Sequence, residues 1–160
     1  MTANTEVAVK KMGPTTVAYL PVTGSFNLIP ESFVRLYGWI NKNGYTPSGP
    51  PSVAFHNTPD RVPEEQLSWE LRGPLAGSTP TSEPDEDGVG VKQLEAILVA
   101  ATMHRGPYEA IDTSFYDALA KWIVENGYDI IGPCEEVYFS DPNTSPDDTL
   151  TEVRFPVRRK

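Results

Sequence analysis

Residues 39–51, "WINKNGYTPSGPP", return as residues 122–134, "WIVENGYDIIGPC". The doubling extends along the chain. Val9–Gly24 lies over Val91–Gly106, Val53–Leu67 over Glu136–Leu150, and "ELRGPL" from Glu70 over "EVRFPV" from Glu152. The offset is 82 at both ends and 83 in the middle. Slips of one residue are tolerable in loops, whereas inside a strand each would reverse its faces. We expect one domain over residues 1–160, built from repeats at 6–75 and 88–157 with a linker at 76–87. That linker, within "AGSTPTSEPDEDG", has no apolar periodicity and carries four acids, so it reads as a solvated, mobile loop.

Within each copy the same signals recur. Val7–Met12 and Thr15–Val22 are short β-rich runs around "GP", the pattern of a hairpin. The next stretch, "PESFVRLYGWINKNG", sets Phe33, Leu36, Tyr37 and Ile40 at helical spacing, with Pro30 suited to the first turn. In the second copy Phe115, Leu119, Trp122 and Ile123 form the apolar face, and Ser114 with Asp117 fits a capping box. Gly44 and Gly127 follow the last helical residues, where a left-handed backbone favours glycine, so the "NG" pair is a helix stop. Two further strands follow in each copy, Ser52–Asn57 with Leu67–Leu75 and Glu136–Asp141 with Leu150–Val157. The expected class is α+β: a tandem, pseudo-two-fold pair of β-β-α-β-β units with antiparallel sheets, one main helix per repeat and a central cleft.

The composition narrows the function. With 13 basic and 22 acidic residues the net charge is −9, which argues against direct nucleic-acid binding through a basic patch. Cys134 is the only cysteine, so no intrachain disulfide forms. The sequence shows no secretory signal and no membrane-spanning run, and a cytoplasmic location is expected. His56 and His104 lack metal-ligand spacing, and there is no P-loop, dinucleotide fingerprint or G-x-S-x-G elbow, so neither metal nor cofactor is expected.

The ordered series "GPY", "WI-x-x-NGY-x-x-x-GP", "DP-x-x-x-P" and "TEVRFPV" over His104–Val157, repeated more loosely in the first copy, resembles the GyrI-like small-molecule-binding domains. These domains also form the effector-binding part of AraC-type and MerR-type multidrug-responsive regulators. The resemblance covers nearly the whole chain. It implies tandem strand-helix-strand-strand modules (SHS2 modules) that hold hydrophobic, often cationic molecules in the central cleft, with an acid on the final strand at its base. Glu152 matches that position, and Glu70 is its counterpart. Those regulators carry a helix-turn-helix before the domain; here the repeat is expected to start within the first ten residues, which leaves no room for one.

Read locally, Glu152 and Arg154 point to the same face of a strand and would make an exposed ion pair worth under ~1 kcal/mol. In an apolar cleft, by contrast, a lone carboxylate is costly to bury and would await a cation. Ring stacking would add to that attraction. The aromatic candidates for the ligand wall are Tyr19, Tyr37, Trp39, Phe55, Trp69, Tyr108, Trp122 and Tyr138, while Phe33 and Phe115 are assigned to the core. Phe55 and Tyr138 are equivalent by the repeat, as are Trp39 and Trp122. Trp69 is not matched in kind: its partner is Thr151.

The expected function is a stand-alone binder of hydrophobic, cationic or aromatic small molecules. The resemblance implies two alternatives. One is hydrolysis of cyclopropane-containing genotoxins by Glu152 acting as general base with Tyr138 holding the substrate. The other is inhibition of DNA gyrase or another protein partner.

Overall fold

The computed structural model describes residues 6–140 and 143–160. Asp141 and Pro142, from the "DP-x-x-x-P" series and the strand expected from Glu136, lie outside the described residues. In chain order the elements are β1 (Val7–Met12), β2 (Thr15–Thr23), α1 (Ile29–Lys42), β3 (Ser52–Phe55), β4 (Ser68–Pro74), β5 (Gly90–Leu94), β6 (Ile97–Arg105), α2 (Thr113–Glu125), β7 (Tyr128–Ile130), β8 (Cys134–Tyr138) and β9 (Leu150–Arg159). Strand pairing within each unit described below is antiparallel, and the class is α+β as expected.

The chain forms two compact units. The first is Gly13–Ala96; the second is Ile97–Lys160 with the described residues before Gly13. In the first, the strand order is β3-β4-β2-β5; in the second it is β1-β6-β9-β8, with β7 paired to the end of β9. The expected β1–β2 hairpin does not form. Instead β1 pairs with β6, placing Val9 opposite Ala100, and β2 pairs with β4 and β5, placing Ala18 opposite both Gly73 and Val91. Val7 and Val9 then pack on the apolar cluster of Ala100, Leu119, Ile123, Val153 and Val157. Alternation along a strand marks its buried face but carries no information about the edge it joins.

Each helix covers one face of its sheet. Along α1 the buried residues include Leu36, Trp39 and Ile40, and along α2 they are Leu119 and Ile123. Pro30 lies in the first turn of α1 as expected. The cap of α2 differs from the expected capping box. Asp112 precedes the helix and accepts the Phe115 amide at 3.1 Å, and the Ser114 hydroxyl donates to the same carboxylate at 2.6 Å. An aspartate two positions earlier takes the bond because it already precedes the helical φ/ψ region. Both helices stop where the "NG" pairs stand. Gly44 and Gly127 have φ of 70° and 86°, and the Asn43 and Asn126 side chains donate back to the Trp39 and Trp122 carbonyls at 2.9 and 2.8 Å.

Residues 81–87 are exposed, as read from composition, but the segment is tied to α1. The Trp39 indole donates to Asp85 at 2.8 Å, and Arg35 donates to the Asp87 carbonyl at 3.2 Å. A backbone bridge also joins Ser82 to Val91.

Candidate functional site

Register and alternation sort the side chains of the second unit onto two faces. Thr151 of β9 stands between His104 of β6 and Tyr138 of β8, and Thr102, Val153 and Glu136 form the next row. This is the face that α2 covers, since Val153 lies in the cluster with Leu119 and Ile123. Glu152, Arg154 and Glu135 lie on the opposite face.

There Glu152 is buried, at 5% exposure, and its charge is balanced. Lys10 on β1 bonds it at 2.7 Å and Arg154 at 3.2 Å, while Arg154 also bonds Glu135 at 2.8 Å. The same-face pair with Arg154 therefore exists, but in a part-buried network. The lone carboxylate awaiting a cation does not. Glu70 in the first unit is held likewise, by Arg72 at 2.7 Å and Lys92 at 2.8 Å. Burial pushes the Glu70 carboxyl up, yet the bonds from Lys92 and Arg72 outweigh it and hold the group below the ordinary carboxylate range.

The carboxylate with the opposite environment is Glu136. Its Oε1 accepts from the Tyr138 hydroxyl at 2.9 Å and its Oε2 from the Tyr116 hydroxyl of α2. Among the described residues no lysine or arginine lies within ion-pair distance of it. Burial pushes its carboxyl above the ordinary range, against the opposing pull of the two hydroxyls and of His104. Burial and the neighbouring Glu136 charge likewise push the Tyr116 and Tyr138 hydroxyls up, so both remain protonated donors. Around this group stand Tyr108, in edge contact with Tyr138 at 5.5 Å, and Phe115, in edge contact with His104 at 5.3 Å. Tyr108 belongs to a short turn before α2 and is 49% exposed. The result is a protonatable acid among aromatic rings.

Of the residues expected at the ligand wall, the structure brings Tyr108 and Tyr138 together here. Trp122, on α2, packs at the edge of the apolar cluster. In the first unit Phe55 and Trp69 both meet Phe26, at 5.2 and 6.2 Å, and Trp69 is fully buried. Trp39 holds the 81–87 segment, and Tyr19 lies beneath the Lys92 ammonium, 4.2 Å from its ring centre. Tyr37 and Ile40 lie close against Gly73, where an added β-carbon would come within 3.1 Å of Ile40 and 3.2 Å of Tyr37. Sequence reasoning missed Glu136, Tyr116 and His104; Phe115, assigned to the core, does pack against the apolar cluster and also meets His104. The signal for Glu136 was its alignment with Val53: an acid replacing an apolar residue two positions before an aromatic, on the same strand face.

Over residues 5–158 the sequence matches the GyrI-like small molecule binding domain. The chain belongs to that family. No curated protein sequence matches it. Among solved structures, the GyrI-like chain is similar to the C-terminal domain of EcmrR, with 20% identity, a TM-score of 0.76 and coverage of 99% of this chain and 100% of that one. It is also similar to EcmrR in a complex with DNA, with 19% identity and a TM-score of 0.82, where 98% of this chain spans only 58% of the other. A third is SAV2435 bound to tetraphenylphosphonium, with 11% identity, a TM-score of 0.56 and coverage of 96% and 94%. At these identities the likenesses establish the shared fold. Among the described residues no helix is long and apolar enough to cross a membrane. The same residues contain no group of His, Cys, Asp and Glu fit to hold a metal.

Proposed function

We propose that this GyrI-like domain binds lipophilic organic cations, and that Glu136, with the rings of Tyr108, Tyr116 and Tyr138, forms the site that meets the positive charge. One observation carries the reading: Glu136 is a part-buried carboxylate satisfied by two phenol hydroxyls and, among the described residues, bonded by no lysine or arginine. The hydroxyls stabilise its negative charge while leaving that charge uncompensated. An incoming cation gains Coulomb attraction in a medium of lowered dielectric, and the tyrosine faces add a cation–π contribution of roughly 0.5–2 kcal/mol. Glu152 has no such deficit, because Lys10 and Arg154 already occupy it. Family membership and the tetraphenylphosphonium complex of a structural neighbour agree with this ligand class.

Calorimetric titration with tetraphenylphosphonium tests the reading. One equivalent binds the wild-type chain, Glu136→Gln weakens binding at least about tenfold, and Glu152→Gln changes it by no more than about threefold, with each tenfold equal to about 1.4 kcal/mol. No binding, or a loss confined to Glu152→Gln, refutes it. A second reading uses the raised proton affinity of Glu136: as a general base it would activate water toward a strained cyclopropane-containing alkylating agent. Mass spectrometry separates the two, since turnover yields a product heavier by one water and binding alone yields none.

A further inference from the structure

The two units build the same corner at the end of the helix-covered face. Gly24 and Gly106 have φ of 131° and 128°, and their amides donate to Leu67 and Thr149 carbonyls, each at 2.8 Å. Phe26 and Phe55 meet edge-on at 5.2 Å in the first unit, as Tyr108 and Tyr138 do at 5.5 Å in the second. Phe55 stands opposite Trp69 and Tyr138 opposite Thr151. The corners differ in what occupies them.

In the first unit the Trp69 indole fills the corner and donates its N–H to the Gly24 carbonyl at 3.0 Å. In the second, the Thr151 hydroxyl is fully buried and lacks a hydrogen-bond partner among the described residues. Gly106, the counterpart of Gly24, is also buried. A buried polar group without a partner is costly, and a ligand that brings polar atoms into this corner gains accordingly.

We propose that the corner formed by Tyr108, Tyr138, Thr151 and Gly106 is a subsite for a planar aromatic ring bearing an N–H donor, the group that the first unit supplies from its own Trp69. This deepens, and rests on, the Glu136 reading, because the Tyr138 ring borders the corner while its hydroxyl bonds Glu136. The ligand class becomes an arylalkylammonium ion whose ring carries an N–H: the ammonium meets Glu136, the ring lies edge-on to Tyr108, and its N–H donates to the Gly106 carbonyl. Of the residues at this corner, Tyr108 is the one exposed to solvent. The competing account is simple volume exchange. Phe115 stands where the first unit has Ser32, so the helix would supply in one unit what the strand supplies in the other.

Calorimetric titration with tryptamine and with 1-methyltryptamine, which lacks the ring N–H, distinguishes these accounts. Tryptamine binds about tenfold more tightly to the wild type, the size expected when one hydrogen bond is gained, as Trp69 gains one on Gly24. In the chain carrying both Thr151→Trp and Phe115→Ser, which reproduces the first unit's arrangement, that preference disappears. Glu136→Gln weakens both amines alike. Equal wild-type affinity for the two amines overturns the subsite whether or not the double variant folds. So does an unchanged preference in a folded double variant. If the preference persists while Glu136→Gln leaves both amines unaffected, the subsite stands and the Glu136 reading fails.

Discussion

Where the first unit has Val53, Phe55 and Trp69, the second has Glu136, Tyr138 and Thr151. The backbone frame is alike at these positions: β3 with β4 and β8 with β9 place the residues in corresponding register on the helix-covered face. In the first unit the frame is filled with apolar groups, and its one indole N–H is satisfied internally. The second holds a carboxylate, two phenols and a hydroxyl without a partner among the described residues. The same architecture thus serves packing in one unit and polarity in the other. Polar groups retained in a core-like setting cost stability and are a reason to look for a ligand.

The largest expected effect breaks the comparison at its apolar end. Trp69→Ala costs about 3–5 kcal/mol, because a fully buried aromatic leaves a cavity. Thr151→Ala, at the corresponding place, changes stability by no more than about 1 kcal/mol, since the hydroxyl it removes makes no bond among the described residues. Urea denaturation measures both. Equal costs would mean that the two corners are packed alike.

A smaller effect sharpens the comparison through pH. Glu70 is held below the ordinary carboxylate range, so its contribution is present above that range and lost as pH falls through its depressed pKa. Glu136 is pushed above the range, so its contribution is present at low pH and lost as pH rises through its elevated pKa. At neutral pH Glu70→Gln therefore costs about 2 kcal/mol, a value between those of exposed and buried pairs, whereas Glu136→Gln raises the melting temperature. The gain from Glu136→Gln fades in mild acid. Thermal melts across pH 4–8 test the two signs, and like signs would remove the electrostatic contrast.

Much of the fold was legible. The helical stripes of Phe33–Ile40 and Phe115–Ile123, and the asparagine-glycine stops, depend on neighbours within a few residues, so local spacing reveals them. The partner of β1 depends on residues some ninety positions away and leaves no mark in its own alternation. The site was less legible for a related reason. Glu152 and Glu70 stand out because they repeat, but their neutralising lysines arrive on β1 and β5, whose pairings were misjudged. Glu136 stands out only once departures between the copies are weighed above their agreements.

The most direct test is a crystal structure of the chain with tetraphenylphosphonium. The account predicts the phosphonium centre facing the Glu136 carboxylate, with its rings against Tyr108 and Tyr138. A cation seated on Glu152, or against Phe55 and Trp69, would contradict it.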